Sequence, residues 1–501
     1  PEHASAYSNL GNALYELGHF EKALSSFERA IELDAGFEMA HNNRGLTLQQ
    51  HGRLQEALSS FDKAIAIRPD YAEAYWNKSL ALLLDGQLRA GFEMFEWRWK
   101  AEKTGLKPRE LGAPQWLGEQ DIAGKTLLLH SEQGLGDSIQ FCRYAKLAKE
   151  RGARVIMLVP KALINLLQSL EGVDELVEIG QPVPAFDYHC PMLSLPLAFK
   201  TDLDNIPLSR GYLRADPLKS EAWGKRLGAK ERLRVGVVWS GGVRPDRPEL
   251  WAAHKRRNVE LVAFANALAH LEVDFYSLQK GEPAESEIRG QELAYWPKGN
   301  FYNYADELKD FSDTAALIDN LDLVIAVDTS TAHLAAAMGK PTWILNRYDT
   351  CWRWMLNRND SPWYDSVTLY RQDDSRQWPP ILEKMAGDLT ERDQKFFVQA
   401  LNSVAATTLL EHEIQNYEIG LKLLKKGKPL EALPFFESII KNNPVHANAL
   451  HKLGLIAFGL GDPKLAVEWM LQSIEINPGN ADVFYDLGIA FQAMDLEDQA
   501  L

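Results

Sequence analysis

Five apolar residues, an acid and three hydroxyls in a row, LVIAVDTST at 323–331, form the segment of this chain best suited to chemistry. A buried strand would close at Asp328, and the small residues of AHLAAAMG would begin a helix at once. The first amides of a helix have no partner inside it, and its N-terminus carries about half a positive charge. Thr329, Ser330 and Thr331 can therefore surround an anionic phosphate with hydroxyls and backbone N–H groups. The same residues also serve as plain helix caps, which need no ligand. The run Ala335–Ala337 allows close packing on a sheet, and Gly339 can end the helix. His333, one turn in, reads as a packed, hydrogen-bonded residue before it reads as a catalyst.

Other loops carry polar groups at strand ends. SEQGLGD (131–137) follows the apolar run KTLLLH, and Gly134 and Gly136 let the backbone carry the Asp137 carboxylate toward a cleft. Asp137 could equally cap the helix that follows. LRVGVVWSGG (233–242) is a strand ending in Ser240 and Gly241, and VDFYSLQKG ends in Gln279 and Lys280, where a nucleotide or only solvent could meet them. HKRRN (254–258) offers Arg256 and Arg257, although a basic run is most often a solvated face. Trp352, Trp354 and Trp363 could stack on a sugar or fill a core.

The elements that would position these loops form an α/β pattern. From about 108 to 405, short apolar runs alternate with helical stretches, as in parallel sheets covered by helices. Strands are expected at 125–130, 153–160 and 186–195, then, after a polar stretch at 213–232, at 233–242, around VDFYSLQKG, at 321–328 and at KPTWILN. Two such halves imply a cleft at the strand C-termini.

Both ends of the chain repeat with a 34-residue period. Gly11 recurs as Gly45, Gly18 as Gly52 and Gly86, Ala23 as Ala57, and Phe27 as Phe61 and Phe95. After residue 412, Gly420, Gly427, Ala432 and Phe436 are followed 34 residues on by Gly454, Gly461, Ala466 and Met470, and Gly488 and Ala500 open a third unit. This resembles the tetratricopeptide repeat: small residues let paired helices approach, Phe fills the groove between neighbouring units, and Pro ends the second helix. Pro1 sits at a closing position, so the expectation is a piece of a longer array. Such arrays bind peptide on a concave face, or merely stiffen a protein.

DTSTAHLAAAMGKP resembles the D-[ST]-[GSA]-x-x-H-x-A-A-x-x-x-x-P block of the lipopolysaccharide heptosyltransferase-like family of GT-B enzymes. SEQGLGD, VGVVWSGG and FSDTAALI (311–318) resemble other blocks of that family, in its order. The likeness covers roughly 120–385 and is nearest to a bacterial repeat-fused branch. It implies a GT-B fold, two Rossmann-like lobes at 106–232 and 233–405, flanked by all-α repeat arrays at 1–105 and 406–501. It further implies that Asp137 is the general base of an inverting displacement. Asp328 would contact the donor sugar, Thr329 to Thr331 its diphosphate, and Arg257, then Arg256, would supply the charge that no metal provides. Heptosyltransferases act on a membrane lipid sugar without such repeats, so donor and acceptor do not transfer with the likeness. The combination is similar in architecture to eukaryotic O-linked N-acetylglucosamine transferases and to bacterial flagellin glycosyltransferases.

Composition bounds the readings. A net charge of −15 disfavours nucleic acid, and no stretch approaches the ~20 apolar residues of a membrane span. Cys142, Cys190 and Cys351 lack metal-ligand spacing and suit a reducing, cytoplasmic setting. The leading expectation is a glycosyltransferase that moves a sugar from a nucleotide-sugar to Ser or Thr of a protein held by the repeats, with no cofactor and with oligomers possible. The alternatives are a transferase for surface polysaccharide or lipid-linked sugar, and an inactive repeat scaffold.

Overall fold

The computed structural model of the protein describes residues 3–242 and 255–494, so Pro1, His254 and Ala500 lie outside the described residues. The chain forms two compact units, Pro1–Asp393 and Gln394–Leu501.

The first unit opens with three helix pairs: α1 (Ala4–Glu16) with α2 (Phe20–Leu33), α3 (Glu38–Gln50) with α4 (Leu54–Ile67), and α5 (Ala72–Leu84) with α6 (Leu88–Phe95). A Cβ on Gly11 would stand 2.6 Å from the Phe27 ring, and one on Gly45 2.5 Å from Phe61. Each Phe is therefore seated within its own helix pair, a correction to the expectation that it lies between neighbours. Gly18, Gly52 and Gly86 turn the chain between partners at φ of 76°, 70° and 85°, which disfavours any side chain.

The third pair runs directly into the α/β part. Arg98, fully buried, donates from Nε and Nη2 to the two carboxylate oxygens of Glu132 at 2.9 and 3.1 Å. Its Nη1 reaches Glu96 at 2.6 Å, and Nη2 also reaches Ser194 Oγ at 2.7 Å. Phe92 of α6 packs edge-on against Trp352 and Trp363.

Two parallel sheets follow. The first, in the order β3-β2-β1-β4, contains β1 (Thr126–His130), β2 (Arg154–Val159), β3 (Glu175–Glu178) and β4 (Tyr188–Pro191). The second, in the order β10-β9-β8-β5-β6-β7, contains β5 (Arg234–Val238), β6 (Asp274–Ser277), β7 (Phe301–Asn303), β8 (Leu323–Val327), β9 (Thr342–Asn346) and β10 (Val367–Arg371). RVGVV and LVIAV are buried throughout, as runs covered by helices on both faces must be. In each sheet the strand order reverses once, between β1 and β4 and between β5 and β8. Those reversals are where open α/β sheets leave a crevice.

Several elements differ from the sequence reading. The polar stretch 213–232 holds a helix, Pro217–Leu227, started by Asp216, whose carboxylate accepts from Leu218 N and Lys219 N at 2.8 and 3.0 Å. β3, β7 and β10 were not expected, nor was the 47-residue helix Pro379–Lys425. In the second unit the helices Pro429–Asn442, Ala447–Gly459, Pro463–Ile476 and Ala481–Gln492 reuse the repeat grammar. A Cβ on Gly420 would stand 2.6 Å from Phe436, and one on Gly454 2.8 Å from Met470. No described helix is long and apolar enough to cross a membrane.

Candidate active site

At the β5/β8 reversal the backbone is sewn into a fixed crest. Thr329, with an extended backbone, caps the helix Ser330–Ala337 and accepts from Ala332 N at 3.5 Å. Ala335, Ala336 and Ala337 are fully buried, so the helix start is held close to the end of β8. On the β5 side, Gln279 clasps Ser240 in both directions: Ser240 N donates to Oε1 at 3.1 Å, and Nε2 donates to Ser240 O at 2.8 Å. Gly241 N donates to Asn258 Oδ1 at 3.0 Å.

Arg257 lies between these two loops. Its Nη1 donates to Asp328 O at 3.1 Å, and its Nη2 fills the place of a Gly241 side chain, 1.8 Å from where a Cβ would be. A side chain there would have to displace the guanidinium. Arg256 turns the other way and pairs with the buried Asp349 at 2.9 Å. Lys280 is held by Ala305 O at 2.8 Å and Glu285 at 3.3 Å. Asp328, Thr329, Ser330, Thr331, His333, Ser240, Gly241 and Arg257 thus come together. Gln279 braces the loop, and Arg256 and Lys280 are engaged elsewhere.

The β1/β4 reversal faces this crest. After His130 the chain turns into the helix Leu135–Phe141, and Asp137 Oδ2 accepts from Gly134 N at 2.7 Å. Asp137 is therefore a helix cap, but its other oxygen points outward and ion-pairs with Arg353 of the opposite lobe. A Cβ on Gly136 would stand 3.0 Å from His333 Cδ2 and 3.4 Å from Ser330 Cα. The two helix starts meet at that glycine, one residue before the Asp137 carboxylate. Glu132 Oε1, held by Arg98, accepts from Leu193 N at 3.0 Å and ties the loop after β1 to the one after β4.

His333 is packed and hydrogen-bonded on several sides. Its ring stacks on Trp354 at 5.2 Å, Nδ1 meets Tyr364 OH at 2.9 Å, and Nε2 lies 3.7 Å from Asp328 Oδ1. Burial pulls its pKa down to about 4 against the pull of Asp328, so the ring is neutral at pH 7. Trp354 and Trp363 are fully buried in the core, whereas Trp352, 7% exposed, lines a cavity.

Sequence reasoning missed Arg353. Its Nε donates to Gln140 Oε1 at 2.6 Å, its Nη1 reaches Cys351 Sγ at 3.3 Å, and its guanidinium lies 4.4 Å over the Trp352 ring. The available signal was a cation inside an aromatic triplet, because a charge there must find an anion. Cys351, partly exposed where Cys142 and Cys190 are buried, also lines a cavity of about 380 Å³. Tyr15, Gln50 and Leu80 of the repeats and Arg256 and Asp349 of the second lobe wall that cavity. Among the described residues no cluster of His, Cys, Asp or Glu could hold a metal ion.

Tetratricopeptide repeat family models match residues 4–37, 39–71 and 417–481, and the model of glycosyltransferase family 9 (heptosyltransferase) matches 277–374. Protein FlbA of Caulobacter vibrioides is 24% identical over 327 residues, 60% of this chain and 52% of FlbA. The chain thus spans about half the length of that relative. Two solved structures are similar in part. The glycosyl transferase family 9 from Veillonella parvula DSM 2008 has a TM-score of 0.39 at 11% identity, covering 51% of this chain and 88% of its own. The E. coli ADP-heptose lps heptosyltransferase II has a TM-score of 0.38 at 13% identity, covering 55% and 99%. The family 9 segment contains the helix Ser330–Ala337 and the Trp352–Trp354 turn, while Asp137 lies outside it.

Proposed function

We propose that this chain, which carries tetratricopeptide repeats and a glycosyltransferase family 9 domain, moves a sugar from a nucleotide-sugar to a hydroxyl of a protein acceptor. The observation that carries the reading is the meeting of the Ser330 helix start with the Asp137 loop at Gly136. The acceptor oxygen attacks the anomeric carbon as the bond to the leaving phosphate oxygen breaks, and its proton passes to Asp137. The electron pair stays on the leaving phosphate. First-turn amides, the hydroxyls of Thr329, Ser330 and Thr331, and Arg257 hold that charge, so no metal is called for. A single displacement from the opposite face inverts the anomeric centre.

A protein acceptor is favoured because the repeats are built onto the catalytic unit. Asn43 Nδ2 donates to Asn12 Oδ1 at 2.9 Å and Asn77 Nδ2 to Asn42 Oδ1 at 2.9 Å, with Asn42 Nδ2 reaching Asn43 Oδ1 at 3.1 Å. These amides join neighbouring repeat helices into one face, with Asn42 buried between them. Further along the same helices, Tyr15, Gln50 and Leu80 wall the cavity that reaches Cys351. Three free thiols fit a reducing compartment, so the cytoplasm is the proposed location.

The test is a thermal-shift panel of UDP, GDP, ADP, CMP and dTDP and their sugars. A ligand at 100 times its Kd adds about 2.7 kcal/mol. Silence across the panel would leave only the scaffold reading. Incubation of a responding nucleotide-sugar with a protein or a lipid-linked sugar then separates the two transferase readings.

Gly241→Ala is expected to push Arg257 off Asp328 O and weaken the responding nucleotide about tenfold, by loss of one charge-assisted contact. Gly242→Ala, whose nearest neighbour would be 3.9 Å away, is expected to bind as the parent does. Calorimetric titration distinguishes the two, and equal affinities would remove Arg257 from the site.

A further inference from the structure

A neutral imidazole has a single N–H, and the nitrogen that keeps it decides what His333 turns toward Asp328. Nδ1 lies 2.9 Å from Tyr364 OH, and Nε2 lies 3.7 Å from Asp328 Oδ1. With the hydrogen on Nδ1, the ring would aim the lone pair of Nε2 at a carboxylate oxygen. With it on Nε2, an N–H dipole faces the carboxylate and Tyr364 donates to Nδ1. Only the second arrangement is attractive at both ends of the ring, and burial of both residues strengthens the preference. Burial also raises the pKa of the Tyr364 phenol, which therefore keeps a hydrogen to give. Tyr364 is itself firmly held. The guanidinium of the fully buried Arg143 lies 4.7 Å over its ring and donates to Trp363 O at 2.8 Å, one residue earlier in the chain.

We propose that Tyr364 is a positioning residue that fixes His333 as its Nε2–H tautomer, whose N–H steadies the Asp328 carboxylate for the donor's sugar. At 3.7 Å the contact is a charge–dipole attraction and not a hydrogen bond, so both Asp328 oxygens keep lone pairs for sugar hydroxyls. The role toward the sugar rests on the transferase reading above; the tautomer does not. In that reading the diphosphate is held by the first turn of Ser330–Ala337 and by Arg257. Tyr364 therefore acts on the affinity for a nucleotide-sugar and not on that for the free nucleotide.

Nitrogen NMR of protein labelled in its histidine rings reads the tautomer, because protonated and bare ring nitrogens differ widely in shift. His333→Gln identifies the signal among the 12 histidines. At pH 7 the parent is expected to show a protonated Nε2 and a bare Nδ1, and Tyr364→Phe to shift both signals toward a mixture of tautomers. A protonated Nδ1 in the parent, or an unchanged Nε2–H form in Tyr364→Phe, would overturn the proposal. If Tyr364→Phe does not fold, the parent spectrum decides. Calorimetry with UDP, GDP, ADP, CMP and dTDP and their sugars tests the consequence. Tyr364→Phe is expected to weaken the responding nucleotide-sugar about two- to tenfold, one ordinary hydrogen bond's worth, and to leave the free nucleotide as it was. In His333→Gln, whose amide can face Asp328 without help at Nδ1, adding Tyr364→Phe is expected to change neither. An unchanged nucleotide-sugar affinity, equal losses for both ligands, or a loss that persists in the Gln background would remove Tyr364 from this role. Failure of the parent to bind any compound in the panel instead rejects the transferase reading, and the spectrum still decides the tautomer.

Discussion

Asp137→Asn is expected to lower kcat for sugar transfer by about 10²–10⁴-fold, the span a positioned general base contributes, in a protein that still folds and still binds nucleotide. Asparagine has nearly the same shape, and its Oδ1 can go on accepting the Gly134 amide, so the helix Leu135–Phe141 keeps its cap. What it loses is the charge and the ability to take a proton. The substitution thereby separates the two roles that geometry gives this residue. If Asp137 only caps its helix, turnover in the Asn variant stays within a few-fold of the parent. If it is the base, turnover collapses while nucleotide titration persists, and the melting temperature falls only by what losing the Arg353 ion pair costs. Asp137→Ala would not distinguish them, because it removes the cap as well. Discontinuous assay of sugar incorporation, with thermal melting on the same samples, supplies both readouts.

Much of the fold could be read from the sequence because its signals are local. The repeats announce themselves through glycines that recur every 34 residues, each with a steric reason at Gly11, Gly45, Gly420 and Gly454. The strand running into Thr329 and the helix after it were legible for the same reason: one apolar run, one cap and one run of alanines. The Asp216-Pro217 start of a helix was also present in the sequence, but a polar, half-exposed helix gives a weak apolar period. The sequence could not show which residues far apart in the chain meet. Arg353 and Asp137 are 216 positions apart, and nothing near either names the other. Arg256 and Arg257 are adjacent and alike, yet successive side chains on a helix point about 100° apart, which sends one to Asp349 and the other to Asp328. Gln279 looked like a nucleotide contact and is instead a clamp on Ser240, a use of an amide that only a partner strand reveals.

The N-terminal repeats were expected to grip peptide or merely to stiffen the protein, and in the first unit they are tied into the α/β part. Arg98 ends the third repeat with its guanidinium wholly buried, and Glu132, whose side chain is 3% exposed, is its principal anion. Burial pushes the Glu132 carboxyl up in spite of Arg98, so this charge exists at the cost of desolvation and depends on its partner. Arg98→Met leaves Glu132 and Glu96 without that cation, and breaking one side of a buried pair costs about 3–5 kcal/mol. Urea denaturation of the variant is expected to show a loss of that size in the transition of the first unit. Glu132→Gln combined with Arg98→Met removes the stranded charge and is expected to recover part of the loss. Transfer should suffer too, because Glu132 holds the loop that carries Asp137 against Leu193 N. A chain lacking 1–105 would expose the faces of Trp352 and Trp363 now covered by Phe92, and it is expected to misfold rather than act as a free catalytic unit. Recovery of a stable, active 106–393 fragment would show that the repeats deliver the acceptor without holding the site together.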